Sequence, residues 1–210
     1  METIPRHQCL IYDGPPSRGL PALAAMMREK LRQNYRCVYL NSPAMVAGMR
    51  SRLWMEGIDV AAQTARGSVL LTSDRIHLVE GRFDAGQMMQ LIETSLNEAL
   101  RDGFTGLWAT GDMTWEMGQE TDFQKLVEYE WRLEKFFQTH PALSGVCQYH
   151  AQTLPREMLR HSLVVHPGIF VNETLQLLNP DYASAERLTA AIAQHAELDA
   201  AIDRHCRSGA

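Results

Sequence analysis

The stretch that decides the fold is His7–Pro21, HQCLIYDGPPSRGLP. A short apolar strand, Cys9 to Tyr12, runs into Gly14-Pro-Pro-Ser-Arg-Gly19, and a helical pattern starts directly after it. Strand, Gly-x-x-x-x-Gly and helix form the frame of a Walker A phosphate loop. That loop needs Lys and then Ser or Thr after its second glycine, the Lys for the β- and γ-phosphates and the hydroxyl for Mg²⁺. Here the two positions hold Leu20 and Pro21. Proline also removes a backbone N–H from the first helical turn, where an anion needs donors. Gly14, Ser17, Arg18 and Gly19 therefore read either as a degenerate phosphate loop or as a plain strand-to-helix turn. Both readings predict that ATP is not hydrolysed here.

Working outward, short apolar runs alternate with helical patterns. Strands are predicted at Cys9–Tyr12, Cys37–Leu40, Val69–Thr72, Gly106–Thr110, Gly145–Tyr149 and Gly168–Val171. They are apolar on both faces, as a parallel sheet covered on two sides requires. Helices are predicted over 19–33, 43–56, 84–102, 120–138 and 155–164, with a capping box at Asp84 and Gln87 and a closing Gly103. This order predicts an α/β three-layer sandwich with a mainly parallel central sheet. Residues 172–182 read as an irregular extension. From Ser184 to about Cys206 the chain is Ala-rich and helical, with Leu188, Ile192, Leu198 and Ile202 along one side. That stripe must be buried on its own body or on another chain. The expected division is a domain over 1–182 and a helix over 183–210 for dimer or partner contact.

The chain of 210 residues is 45% hydrophobic and carries a net charge of −5, enough for a real core and too balanced for disorder. No Lys/Arg-rich run reads as a nucleic-acid patch, so no direct nucleic-acid contact is expected. No segment reaches the roughly 20 apolar residues that span a bilayer, and METIPRHQCL resembles no signal peptide. Cys9, Cys37, Cys147 and Cys206 lie far apart, which suits free thiols in a cytoplasmic protein.

Several residues are candidates for chemistry. His7 and Cys9 share a strand face. With Cys147 and His150 they would supply zinc-type ligands, but the spacings match no standard structural site and no metal is expected. Asp112, in Gly111-Asp112-Met113-Thr114-Trp115, stands where a Walker B Asp would hold Mg²⁺, or is an N-cap. Carboxyl ends of strands in open α/β sheets bind ligands, and Met113, Trp115 and Met117 would suit an uncharged one. Glu130 falls in the apolar face of Phe123, Leu126, Val127, Leu133, Phe136 and Phe137. A carboxylate there needs a partner or a raised pKa, with His7, His150 or an Arg as candidates. It reads as a structural ion pair or as a polar anchor in a ligand pocket. His166 opens the last strand. No motif assembles a nucleophile, base and oxyanion hole, so no catalytic residue is expected.

Taken together, the pieces resemble the MEDS family, a sensory domain named for methanogen and methylotroph proteins and for the repressor of dichloromethane metabolism. They are His7-x-Cys9-x-x-Tyr12, Gly81-Arg82-Phe83-Asp84, Gly103-Phe-x-Gly106 through Gly111-Asp112-Met113-x-Trp115, Tyr129-Glu130-x-x-Leu133, Cys147-Gln-Tyr149 and His166-Pro167. The resemblance implies a degenerate relative of RecA- and KaiC-type ATPases that senses small molecules, hydrocarbon derivatives among them. It implies a non-catalytic domain binding a largely apolar ligand through His7, Cys9, Tyr12, Asp112, Met113, Trp115, Glu130, Tyr149 and His166. No cofactor is required. The output would pass to a transcription or kinase-type partner, or through a homodimer formed by 184–206. The alternative is a RecA/KaiC-like nucleotide-binding ATPase with an atypical phosphate loop.

Overall fold

The computed structural model describes residues 5–120, 122–183, 187 and 194–208. Seven strands make one sheet: β1 (His7–Tyr12), β2 (Tyr35–Leu40), β3 (Val69–Thr72), β6 (Gly106–Asp112), β7 (Leu143–His150), β8 (Gly168–Phe170) and β9 (Gln176–Leu178). Their order is β3-β2-β6-β7-β1-β8-β9, parallel throughout except for β9 against β8. The other two strands, β4 (Leu78–Val79) and β5 (Arg82–Phe83), form a separate hairpin. Its turn places Glu80 at φ 52° and Gly81 at φ 79°, the paired positive φ of a tight hairpin.

Helices cover both faces. On one side lie α1 (Leu20–Arg32), α2 (Pro43–Met55) and α3 (Val60–Ala65), sharing a core with Leu10, Tyr39 and Trp108. On the other lie α4 (Ala85–Arg101), the short α5 (Met113–Glu116), α6 (Gln124–Thr139) and α7 (Arg156–Val165), with α8 (His195–Ser208) packed on α7 and β1. Alternation sorts the strands between these cores: Cys9, Ile11, Cys147 and Tyr149 face the second, Leu10 and Val146 the first. The result is a three-layer α/β sandwich with a mainly parallel sheet and a C-terminal helix.

Local chemistry explains the boundaries. Asp84 caps α4, its Oδ1 accepting from the Gln87 N–H at 2.8 Å, and Gly103 at φ 84° follows the helix end. Residues 172–182 are more ordered than an irregular extension, because β9 pairs with β8 through Gln176–Leu178. In α8 the stripe residues Leu198 and Ile202 are buried in their own domain, joined by Ala201. Arg156 and Arg160 clamp Asp199 at 2.8 and 2.7 Å. The described part of this helix thus turns Leu198, Ala201 and Ile202 inward onto its own domain. Leu188 and Ile192 lie outside the described residues.

Candidate functional site

The loop at Gly14–Gly19 is built as a turn, not as an anion cradle. Pro16–Gly19 is one 3₁₀ turn in which the Arg18 N–H donates to Pro15 O at 3.0 Å and the Leu20 N–H to Ser17 O. Pro15, Pro16 and Pro21 have no N–H to offer. Gly14, at φ 74°, turns its carbonyl to the His150 ring, which lies 2.9 Å away at Nε2.

Nine residues were expected to share one ligand site, but the structure divides seven of them into two polar groups. The reason is strand parity: Tyr12 and His150 point to one face of the sheet, His7, Cys9, Cys147 and Tyr149 to the other. At the carboxyl edge, the Tyr12 hydroxyl donates to Asp112 Oδ2 at 2.6 Å. Asp112 is the last residue of β6, which runs two residues beyond the predicted end at Thr110, and its Oδ1 accepts from the Trp115 N–H as the cap of α5. Trp115 leans on His77 and carries Arg75 over its ring.

The second group lies inside the core, between β1, β7, α6 and the end of α7. His7 Nδ1 contacts Glu134 Oε2 at 2.8 Å, and His166 Nδ1 contacts Ser162 O at 2.6 Å. The Tyr149 hydroxyl donates to Glu130 Oε1. Glu130 Oε2 stands 3.8 Å from His7 Nε2 and 3.5 Å from His166 Nε2, and Cys147 Sγ stands 3.6 Å from His7 Nε2. Burial disfavours the charged form of both partners in these carboxyl–imidazole contacts. Burial pushes His7 down to about 3 and His166 well below its ordinary range. Burial also pushes Glu130 up to about 8, against the opposing pull of Tyr149. Glu130 is thus hydrogen-bonded to Tyr149 and neighboured by His7 and His166, rather than by His150 or an Arg. Cys9 is core, without a place in either group.

Beside this cluster, and missed by sequence reasoning, is a cavity of about 160 Å³ between the sheet and helices α4 and α6. Val38, Leu107, Ala109, Met88, Ile92 and Leu133 give it an almost wholly apolar wall, and Leu70 and Ile76 stand exposed at its mouth. Met113 lines it, as does Cys147. Its lining also includes Glu116, 2% exposed, whose Oε2 has no hydrogen-bond partner among the described residues. Burial first, and then Glu130 and Asp112, hold the Glu116 carboxyl well above the usual carboxylate range. The carboxyl sits directly over Gly111, where an alanine Cβ would fall 1.7 Å from Oε1. Two sequence signals were available: Glu116 lies inside Met113–Met117, and Glu134 lies one turn beyond Glu130 on the same helix face.

The fold and its two interior features define a three-layer α/β domain with a polar cluster in its core and an apolar chamber beside it. The chain belongs to the MEDS family, "MEthanogen/methylotroph, DcmR Sensory domain", which residues 6–167 match. Among solved structures it is similar to a KaiC-like protein from the hyperthermophilic archaeon Pyrococcus horikoshii OT3. The TM-score is 0.54 and the identity 11%, over 79% of this chain and 71% of that one. It also matches the flagellar accessory protein FlaH from Methanocaldococcus jannaschii at a TM-score of 0.49 and 15% identity, over 79% and 71% of the two chains. Identities this low speak to fold alone. Comparison with curated proteins finds no match. No helix among the described residues is long and apolar enough to cross a membrane.

Proposed function

We propose that this chain is a non-catalytic sensory domain whose ligand is a small, largely apolar molecule held in the chamber between the sheet and α4/α6. The observation that carries the reading is the pairing of an aliphatic cavity of about 160 Å³ with one buried, unpartnered carboxyl oxygen, Glu116 Oε2. A cavity of roughly 150 Å³ lined by aliphatic side chains takes a benzene-sized guest. A neutral carboxyl inside it can donate one hydrogen bond to a hydroxyl, carbonyl or similar group. Membership of a sensory family supports the same reading, in which the domain passes its state to a transcription or kinase-type partner.

The ATPase alternative has the fold behind it but not the loop. No Lys or Ser/Thr follows Gly19, three prolines remove N–H donors, and two of the remaining N–H groups are used within the turn. Thermal unfolding separates the readings, with 1-hexanol and MgATP as probes on the wild type and on the cavity-filling variant Ala109→Leu. A ligand at a hundred times its Kd adds about 2.7 kcal/mol, or roughly 5–10 °C in Tm for a domain of this size. Hexanol is expected to stabilise the wild type and not Ala109→Leu, and MgATP neither. Stabilisation by MgATP alone would reverse the assignment.

A further inference from the structure

We propose that His7 Nε2, Glu130 Oε2, Cys147 Sγ and His166 Nε2 form a four-ligand site for a divalent metal ion, zinc by its donor set. The four donor atoms all lie within 4.8 Å of one another and belong to buried residues. They come from β1, α6, β7 and the residue that ends α7. No sequence spacing reveals such a site, because its ligands are 123, 17 and 19 residues apart.

The distances carry the argument. Glu130 Oε2 to His166 Nε2 is 3.5 Å, Glu130 Oε2 to His7 Nε2 is 3.8 Å, and Cys147 Sγ to His7 Nε2 is 3.6 Å. An O–H···N hydrogen bond between such groups would draw the heavy atoms to roughly 2.7–2.8 Å. Zinc bonds of about 2.0–2.3 Å at tetrahedral angles put the donors roughly 3.3–3.7 Å apart. Of these three separations 3.5 and 3.6 Å fall within that range and 3.8 Å lies just beyond it, and all three exceed the hydrogen bond.

The protonation pattern points the same way. Ser162 O is a carbonyl and can only accept, so His166 Nδ1 carries the hydrogen and Nε2 presents a lone pair. With Glu134 ionised, its Oε2 likewise accepts from His7 Nδ1, and its other oxygen is already held by Gln138 and Tyr182. Two imidazole lone pairs are thereby aimed at one buried point, with Glu130 Oε2 and His166 Nε2 both lacking a hydrogen-bond partner. Buried polar atoms without partners are few in folded proteins and call for a cause. A cation supplies it.

Each ligand also has an outer partner: Glu134 for His7, Ser162 for His166 and the Tyr149 hydroxyl for Glu130. Such partners orient metal ligands and fix the tautomer. Zinc with one thiolate and one carboxylate is a neutral unit, so the core would hold no net charge. Mixed imidazole, thiolate and carboxylate donors suit zinc better than the hard cations calcium or magnesium. With four protein ligands the site is closed, a tie between four core elements. Cys147 also belongs to the cavity wall, yet the proposal stands on the donors and not on a ligand in the chamber.

The test is to express the full chain in zinc-supplemented and in cobalt-supplemented minimal medium, then measure metal content and absorption. One ion per chain is expected, with a thiolate-to-cobalt charge-transfer band and the intense visible bands of tetrahedral cobalt. Cys147→Ser should lose the charge-transfer band. Glu134→Gln should fold and bind metal roughly ten- to a hundredfold more weakly in competition with a chromophoric chelator. Wild-type protein that retains neither metal, or a thiolate band that persists in Cys147→Ser, would overturn the proposal. Ala109→Leu should leave the metal content unchanged, so a failed cavity and a failed metal site give different results.

Discussion

Gly111→Ala is expected to change sign with the residue that faces it. A Cβ built on Gly111 falls 1.7 Å from Glu116 Oε1 and 2.9 Å from its carboxyl carbon, where ordinary contacts lie at about 3.5–4.0 Å. The carboxyl must therefore swing away inside a packed core, and overpacking of this kind costs about 1–3 kcal/mol. Against it stands the backbone gain of replacing a strand glycine by alanine, roughly 0.5–1 kcal/mol. The net expectation is a loss of about 1–2 kcal/mol in the wild type. In a Glu116→Ala background the clash has no partner, and Gly111→Ala should stabilise by roughly 0.5–1 kcal/mol. Urea unfolding of the four proteins closes the cycle, provided the slope m stays constant. An equal effect of Gly111→Ala in both backgrounds would refute the placement of the Glu116 carboxyl over Gly111, and with it the polar anchor of the chamber.

Three further outcomes follow from particular residues. Glu116 is held above its ordinary range by burial, then by Glu130 and Asp112, while His77 meets its backbone carbonyl and Tyr129 lines the same cavity. The native state thus binds a proton that the unfolded state releases near pH 4.3. Its contribution to stability is complete below that pH and is lost as pH rises towards the native pKa. Glu116→Gln should flatten the fall of Tm with rising pH, and an unchanged slope would contradict the neutral carboxyl. Ile202→Ala, fully buried in α8, should cost about 2–5 kcal/mol in urea unfolding, against about 1 kcal/mol or less for Asp199→Ala, whose ion pairs are partly exposed. Equal small effects would mean that α8 is not docked on α7 and β1. Steady-state phosphate release from MgATP should stay at background, and turnover abolished by Asp112→Asn would refute the reading of the loop at Gly14–Gly19.

Much of the fold was legible because its signals are local. Apolar runs located six of the seven sheet strands within a few residues, and Asp84 with Gly103 bracketed α4 as its caps demand. The elements that escaped are short and held by tertiary contacts. The Leu78–Phe83 hairpin is bridged from Arg82 to Gly118, and β9 exists through its pairing with β8. The site was half legible. Glu130 stood out as a carboxylate on an apolar face, and His7, Cys147 and His166 were each singled out. Their grouping depends on which face of β1 and β7 meets α6, which parity indicates only once the layers are known. Parity also separates Tyr12 from His7, so the single pocket at the carboxyl edge became two groups. The chamber itself is a property of packing between α4, α6 and the sheet, and no sequence pattern encodes a void.

The central claim is that a small apolar molecule occupies the chamber and meets Glu116. A crystal structure of the chain grown with 1-hexanol tests it most directly. The expected result is an alkyl chain against Val38, Leu107 and Leu133, with its hydroxyl within hydrogen-bond distance of Glu116 Oε2. An unchanged chamber with hexanol bound elsewhere, or no bound hexanol while MgATP binds at Gly14–Gly19, would contradict it.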